Sequence, residues 1–152
     1  MASIIEASHV FFDCPATTRD EAFLYIAEKA CGLGLATDAP AVVEALNARE
    51  AEGSTGMMNG FAIPHCRCAA VKTPSVLVVK FAGHVDWKTM DKSSVRVAVA
   101  LLIPDDGVGN EHLRLLSKIA VLLMHDDFCD KVKASTNATE IVDAVEEGLA
   151  KE

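Results

Sequence analysis

The apolar positions of this chain change their period twice. A short apolar group, Val10-Phe11-Phe12, reads as a strand. Thr18-Arg19-Asp20-Glu21 then forms a capping-box pattern, with Thr18 and Glu21 placed to satisfy the first free amides of a helix. Ala22, Phe23, Ile26, Ala27, Ala30 and Cys31 follow at helical spacing, and Gly32 and Gly34 end that run. A second helix is predicted from about Asp38, with Pro40 in its first turn. It turns Val42, Val43, Ala45 and Leu46 inward and stops at Gly53.

The period then shortens. Met57 to Ile63 is a short extended stretch, broken by Gly60 and ended by Pro64. Residues 75–82 and 95–103 are runs rich in β-branched side chains, the second stopped by Pro104. Runs this continuously apolar predict strands covered on both faces. Helical spacing returns after Asn110, with Leu113, Leu116, Ile119, Ala120 and Leu123 in one stripe. Asp127 to Lys133 follows as a short helix. Ile141, Ala144, Val145 and Leu149 form a last one, with Asn137 and Glu140 at cap spacing. The order predicts an α/β fold, a central β-sheet layered between α-helices. With no linker, repeat or low-complexity segment, residues 1–152 are read as one domain.

Composition narrows the class. The apolar runs fall short of the ~18 residues a membrane span needs, being interrupted by Lys80, Arg96 and Arg114. The start, Met-Ala-Ser-Ile-Ile-Glu, lacks the basic and apolar regions of a secretory leader, so a cytoplasmic protein without membrane insertion is expected. Lys and Arg number 14 against 22 Asp and Glu, a net charge of −8. Such a surface repels nucleic acid and anionic lipid and suits a partner with a basic docking face. Cys14, Cys31, Cys66, Cys68 and Cys129 are odd in number, which argues for free thiols rather than a disulfide framework.

The concentrated chemical signal is Arg49-Glu50-Ala-Glu52-Gly53-Ser54-Thr55-Gly56, followed by Gly60-Phe61-Ala62-Ile63-Pro64-His65. A loop of glycines and hydroxyls after a helix can bring donors up to an anion. Pro64 restricts Ile63 to extended geometry and so sets the approach to His65. To accept a phosphoryl group an imidazole must be neutral, as the ordinary pKa of about 6.5 allows, and its nitrogen must be aimed. The phosphoryl oxygens must also meet donors, because positioning and electrostatics do most of the catalysis. In Gly109-Asn110-Glu111-His112, Asn110 is the expected cap, which puts His112 in a helix first turn, where an anion is favoured.

These three blocks resemble the type-2 enzyme IIA family of the bacterial sugar phosphotransferase system, the fructose/mannitol group that also contains nitrogen-regulatory IIA proteins. The resemblance covers nearly the whole chain. It implies a mixed sheet sandwiched by helices, and a phosphohistidine carrier charged by phospho-HPr. The carrier would pass the group to a sugar-specific IIB component, fructose-type in our reading, and through it serve the IIC permease. No cofactor or metal is implied. By position, His65 matches the phosphorylated histidine, His112 a second active-site histidine, and Arg49 the neighbouring arginine. Ser54, Thr55 and Asn59 are candidate supports of the phosphoryl site. Two departures stand out: Cys66 replaces the usual small residue after the histidine, and Asn59 stands where mannitol-type members carry an acid.

Other readings sit beside these. A regulatory IIA would use the same phosphorylation to switch partner binding. His9, His84 and His125 are read as structural histidines, and His112 could be simply a polar helix-start residue. Arg49 suits a helix C-terminus on dipole grounds alone. His65-Cys66-Arg67-Cys68 invites a zinc or copper site. Successive strand residues point to opposite faces, however, which works against a closed ligand set. Beside the site, Cys66 is expected to be open to oxidation.

Overall fold

The computed structural model describes residues 4–105 and 111–150, the side chains of Glu111 and His112 excepted. Strand β1 spans Val10–Cys14 and is followed by helices α1 (Arg19–Gly32) and α2 (Ala39–Ala51). The sheet continues with β2 (Phe61–Ala62), β3 (His65–Cys68), β4 (Ser75–Val85) and β5 (Val95–Pro104). Helices α3 (Glu111–Leu122), α4 (Asp126–Ala134) and α5 (Ala138–Ala150) close the chain.

Local chemistry starts α1, α2 and α5 where the sequence predicts. Thr18 accepts from the Glu21 amide while the Glu21 carboxylate accepts from the Thr18 amide, a complete capping box. Asp38 Oδ1 accepts from Ala41 N at 3.2 Å, and Asn137 Oδ1 from Glu140 N at 3.2 Å.

The strands run in the order β1-β4-β5, with β2 and β3 both on the outer edge of β5. β4 and β5 are antiparallel and the other pairings between the described strands are parallel, so the sheet is mixed. Alternation along its central strands builds two cores. Leu77, Val79, Ala98, Ala100 and Leu102 pack with Phe23, Ile26, Val42 and Leu46 of α1 and α2. Val76, Val78, Val97, Val99 and Leu101 pack with Ile119, Val132, Ile141 and Val145 of α3, α4 and α5 and with Leu123, just past the end of α3. Two-sided burial is why both central strands read as continuous apolar runs.

Three expectations need correction. Pro64 does not end the extended stretch. Phe61 pairs with Val97 and His65 with Leu101, an unchanged register, so β2 and β3 are one strand interrupted at a residue with no N–H to donate. β4 runs on to Val85. Leu113, the first residue of the α3 stripe, is 53% exposed rather than core, because the helix starts beyond the sheet-covered face.

Candidate active site

His65 opens β3 and shares a sheet face with Leu101, its partner on β5. Its Nδ1 lies 2.7 Å from the Ile63 carbonyl oxygen. A carbonyl can only accept, so Nδ1 carries the proton and Nε2 presents its lone pair. That lone pair accepts from Arg49 Nε–H at 3.0 Å. The ring is therefore the neutral Nδ1–H tautomer, aimed at both ends.

The residue next to Arg49 aims the ring by a second route. Glu50 is buried, and its carboxylate accepts from Thr55 N at 3.0 Å and Thr55 Oγ1 at 2.6 Å. The Thr55 carbonyl accepts from Ile63 N at 2.9 Å, and Ile63 returns its own carbonyl to His65. Arg49 and Glu50, consecutive in the last turn of α2, thus hold the imidazole directly and through Thr55 and Ile63. Sequence reasoning missed Glu50 and the Ile63 carbonyl. The available signal was an acid five residues before a threonine in a glycine-rich loop.

The loop is shaped by close approach rather than by spare donors. The Ser54 hydroxyl donates to the Lys88 carbonyl and accepts from Gly56 N. A Cβ at Gly56 would collide with that same Lys88 carbonyl. In this conformation the Ser54 and Thr55 hydroxyls both donate to protein acceptors, so neither is held toward His65 as an anion donor. Asn59 lies near the opposite end of β5. Its amide donates to Asp91 at 3.0 Å and its side chain to Asp126 at 3.5 Å.

A cleft of about 430 Å³ opens in front of the imidazole, walled by Arg49, Glu52, Arg67, Ile103, Leu113 and Leu116. Leu113 and Leu116 put the first turns of α3 on its wall. The backbone of His112 belongs to that first turn. Its side chain, and the expected cap Asn110, lie outside the described residues.

Opposite faces separate the groups of the metal reading. His65 shares its face with Leu101, whereas Cys66 and Cys68 belong to the α1–α2 core. Burial, with a smaller effect of Cys68, pushes the Cys66 thiol up to about 12. Cys66 borders the cleft but is 7% exposed, and the raised pKa favours the thiol over the thiolate, which works against the expected ease of oxidation. The five cysteines are free, and all but Cys31 are buried. Among the described residues, no helix is long and apolar enough to cross a membrane.

An imidazole with its nucleophilic nitrogen presented to an open cleft is the arrangement a phosphoryl carrier requires. The chain belongs to the corresponding family: the model described as "Phosphoenolpyruvate-dependent sugar phosphotransferase system, EIIA 2" matches residues 3–148. It is 31% identical over 133 residues to the PTS system fructose-specific EIIA component of Haloferax volcanii, covering 88% of this chain and 86% of that one. The crystal structure of nitrogen regulatory protein IIA-Ntr from Neisseria meningitidis superposes with a TM-score of 0.85 at 28% identity, covering 93% of this chain and 96% of that one. The solution complex of enzyme IIAMTL with phosphorylated IIBMTL from Escherichia coli shares the fold, with a TM-score of 0.77 at 17% identity over 94% of this chain and 97% of that one.

Proposed function

We propose that the protein carries a phosphoryl group on Nε2 of His65, taking it from phospho-HPr and handing it to a IIB component in the cytoplasm. The observation that carries this reading is the double hold on the ring: Nδ1–H on the Ile63 carbonyl and the Nε2 lone pair facing Arg49. On charging, the Nε2 lone pair attacks phosphorus as the donor's P–N bond breaks, and the donor nitrogen recovers its lone pair. The imidazole becomes partly cationic, and the Ile63 carbonyl stabilises it through the Nδ1 proton. Arg49 turns from the nitrogen to the phosphoryl oxygens, an exchange a planar, five-donor guanidinium suits. His112, in the first turn of α3, is the second imidazole we assign to those oxygens.

A fructose-type relay is favoured by the likeness to the Haloferax protein over 88% of this chain. A regulatory role is the second reading, favoured by the likeness to the Neisseria nitrogen-regulatory structure. Transfer of labelled phosphate from phosphoenolpyruvate through enzyme I and HPr tests the carrier. The wild-type chain should take an acid-labile, base-stable label, and His65→Ala should take none. Label surviving in His65→Ala would overturn the assignment. Onward transfer to a fructose-type IIB domain separates the relay from the regulator.

A further inference from the structure

The cleft holds two arginines, and they are held very differently. Arg49 is fixed by His65 Nε2 at 3.0 Å and by the Gly53 carbonyl at 2.8 Å. Arg67 is the alternate residue to His65 on β3, so the two project from one face, roughly 7 Å apart along the strand. Their β5 partners, Leu101 and Ile103, both line the cleft. The Arg67 side chain is 34% exposed, and its guanidinium stands 4.0 Å from an Asp105 carboxylate oxygen, beyond hydrogen-bond length. A pair this open to water contributes little, so the guanidinium can be drawn elsewhere at small cost.

Charging His65 supplies a stronger attraction. The uncharged cleft is lined by the cations Arg49 and Arg67 and the anion Glu52. A phosphoryl group adds a charge approaching −2 and three strong acceptors, as on other phosphorylated side chains. A planar guanidinium pairs with two oxygens at a time, and one Arg49 N–H is already committed to the Gly53 carbonyl, so a third phosphoryl oxygen is left for another donor. At comparable distance a dianion attracts a guanidinium more strongly than a carboxylate does.

We propose that Arg67 is a phosphorylation-driven switch: it leaves Asp105 for the phosphoryl oxygens on His65, holding the charged form and releasing the Asp105 carboxylate from its arginine. The switch rests on the reading of His65 as acceptor. Arg67 makes and breaks no covalent bond and moves no proton; the P–N exchange is that of the relay. A partner docking over Arg67 would then meet the Asp105 carboxylate without its arginine only when the protein is charged.

The test is the equilibrium between phospho-HPr and this protein, measured from both directions. It depends only on the end states, so a variant that merely slows docking leaves it unmoved. Arg67→Gln should shift it back toward phospho-HPr by about tenfold, the size of one charge-assisted hydrogen bond at a partly solvated site. Arg67→Lys should retain most of the wild-type value. Asp105→Asn removes the competitor and should shift the equilibrium the opposite way, by a few-fold. Melting temperatures of the uncharged variants should match wild type, because both side chains are on the surface. An unmoved equilibrium in Arg67→Gln, with His65 still labelled, would overturn the switch. So would Asp105→Asn shifting in the same direction as Arg67→Gln. Loss of the carrier reading itself looks different: wild type takes no label, or His65→Ala keeps it.

Discussion

His9 and His65 begin alike and end differently. Each precedes or opens a strand, and each anchors Nδ1 on a backbone carbonyl, His9 on Val76 at 3.0 Å and His65 on Ile63 at 2.7 Å. That bond assigns the tautomer in both. His9 is 4% exposed, and its Nε2 stands 4.0 Å from the Glu6 carboxylate. His65 is half-buried, and its Nε2 accepts directly from a guanidinium, both groups lining an open cleft. A carbonyl-anchored imidazole is thus a common structural device. Chemistry depends on what the second nitrogen meets, and a phosphoryl dianion is repelled at one site and welcomed at the other.

The largest expected effect tests that difference directly. His65→Gln should lose phosphoryl labelling completely at near-normal stability. His9→Gln should label at the wild-type rate yet lose about 1–3 kcal/mol, the cost of disturbing one buried hydrogen bond. Denaturant melts read beside labelling decide it, and loss of label in the His9 variant would break the comparison.

Next in size is the second imidazole. His112→Ala should still accept phosphate but pass it on roughly 10²–10³-fold more slowly, the typical effect of removing one transition-state donor. Rapid-quench transfer to IIB reads this, and a wild-type rate would make His112 a structural helix-start residue.

A smaller effect is expected from the anchored loop. Glu50→Gln keeps the shape but cannot accept from both Thr55 donors with both of its terminal atoms. A loss of about 1–3 kcal/mol is expected, together with slower labelling, because Ile63 is positioned through Thr55. A destabilised variant that still labels at full rate would uncouple the loop from the ring.

The smallest effect concerns the neighbouring thiol on the other face. A folded pKa of about 12, against 9.0 for an ordinary thiol, means the unfolded chain loses this proton first as pH rises. The contribution of Cys66 is therefore whole below pH 9 and declines as pH rises toward 12. Cys66→Ala should flatten part of that decline in urea melts at stepped pH. Native Cys66 should also react slowly with thiol reagents between pH 7 and 9, and rapid modification would show it open to the cleft.

The starts of α1, α2 and α5 were legible in the sequence because caps are local: Thr18 with Glu21, Asp38 and Asn137 each satisfy amides within three residues. The two-sided burial of β4 and β5 was legible because it requires apolar side chains at consecutive positions. So was the constellation Arg49, Gly53 to Gly56 and Pro64-His65, since its spacing along the chain is its signature. Tertiary structure alone decided the rest. Whether a strand resumes after Pro64 depends on β5 offering partners in unbroken register, a contact 36 residues away in sequence. Whether Leu113 is core or cleft wall depends on where the sheet stops covering the helix. The Thr55 hydroxyl could have served an anion, but a buried carboxylate five residues earlier holds it first. Asn59 directly precedes the Gly60–His65 block, yet the extended chain between them carries it to the far end of β5, beside Asp91 and Asp126. Local hydrogen-bond chemistry can be read from neighbours in the chain. Competition for a donor or a packing face is settled only when distant segments meet.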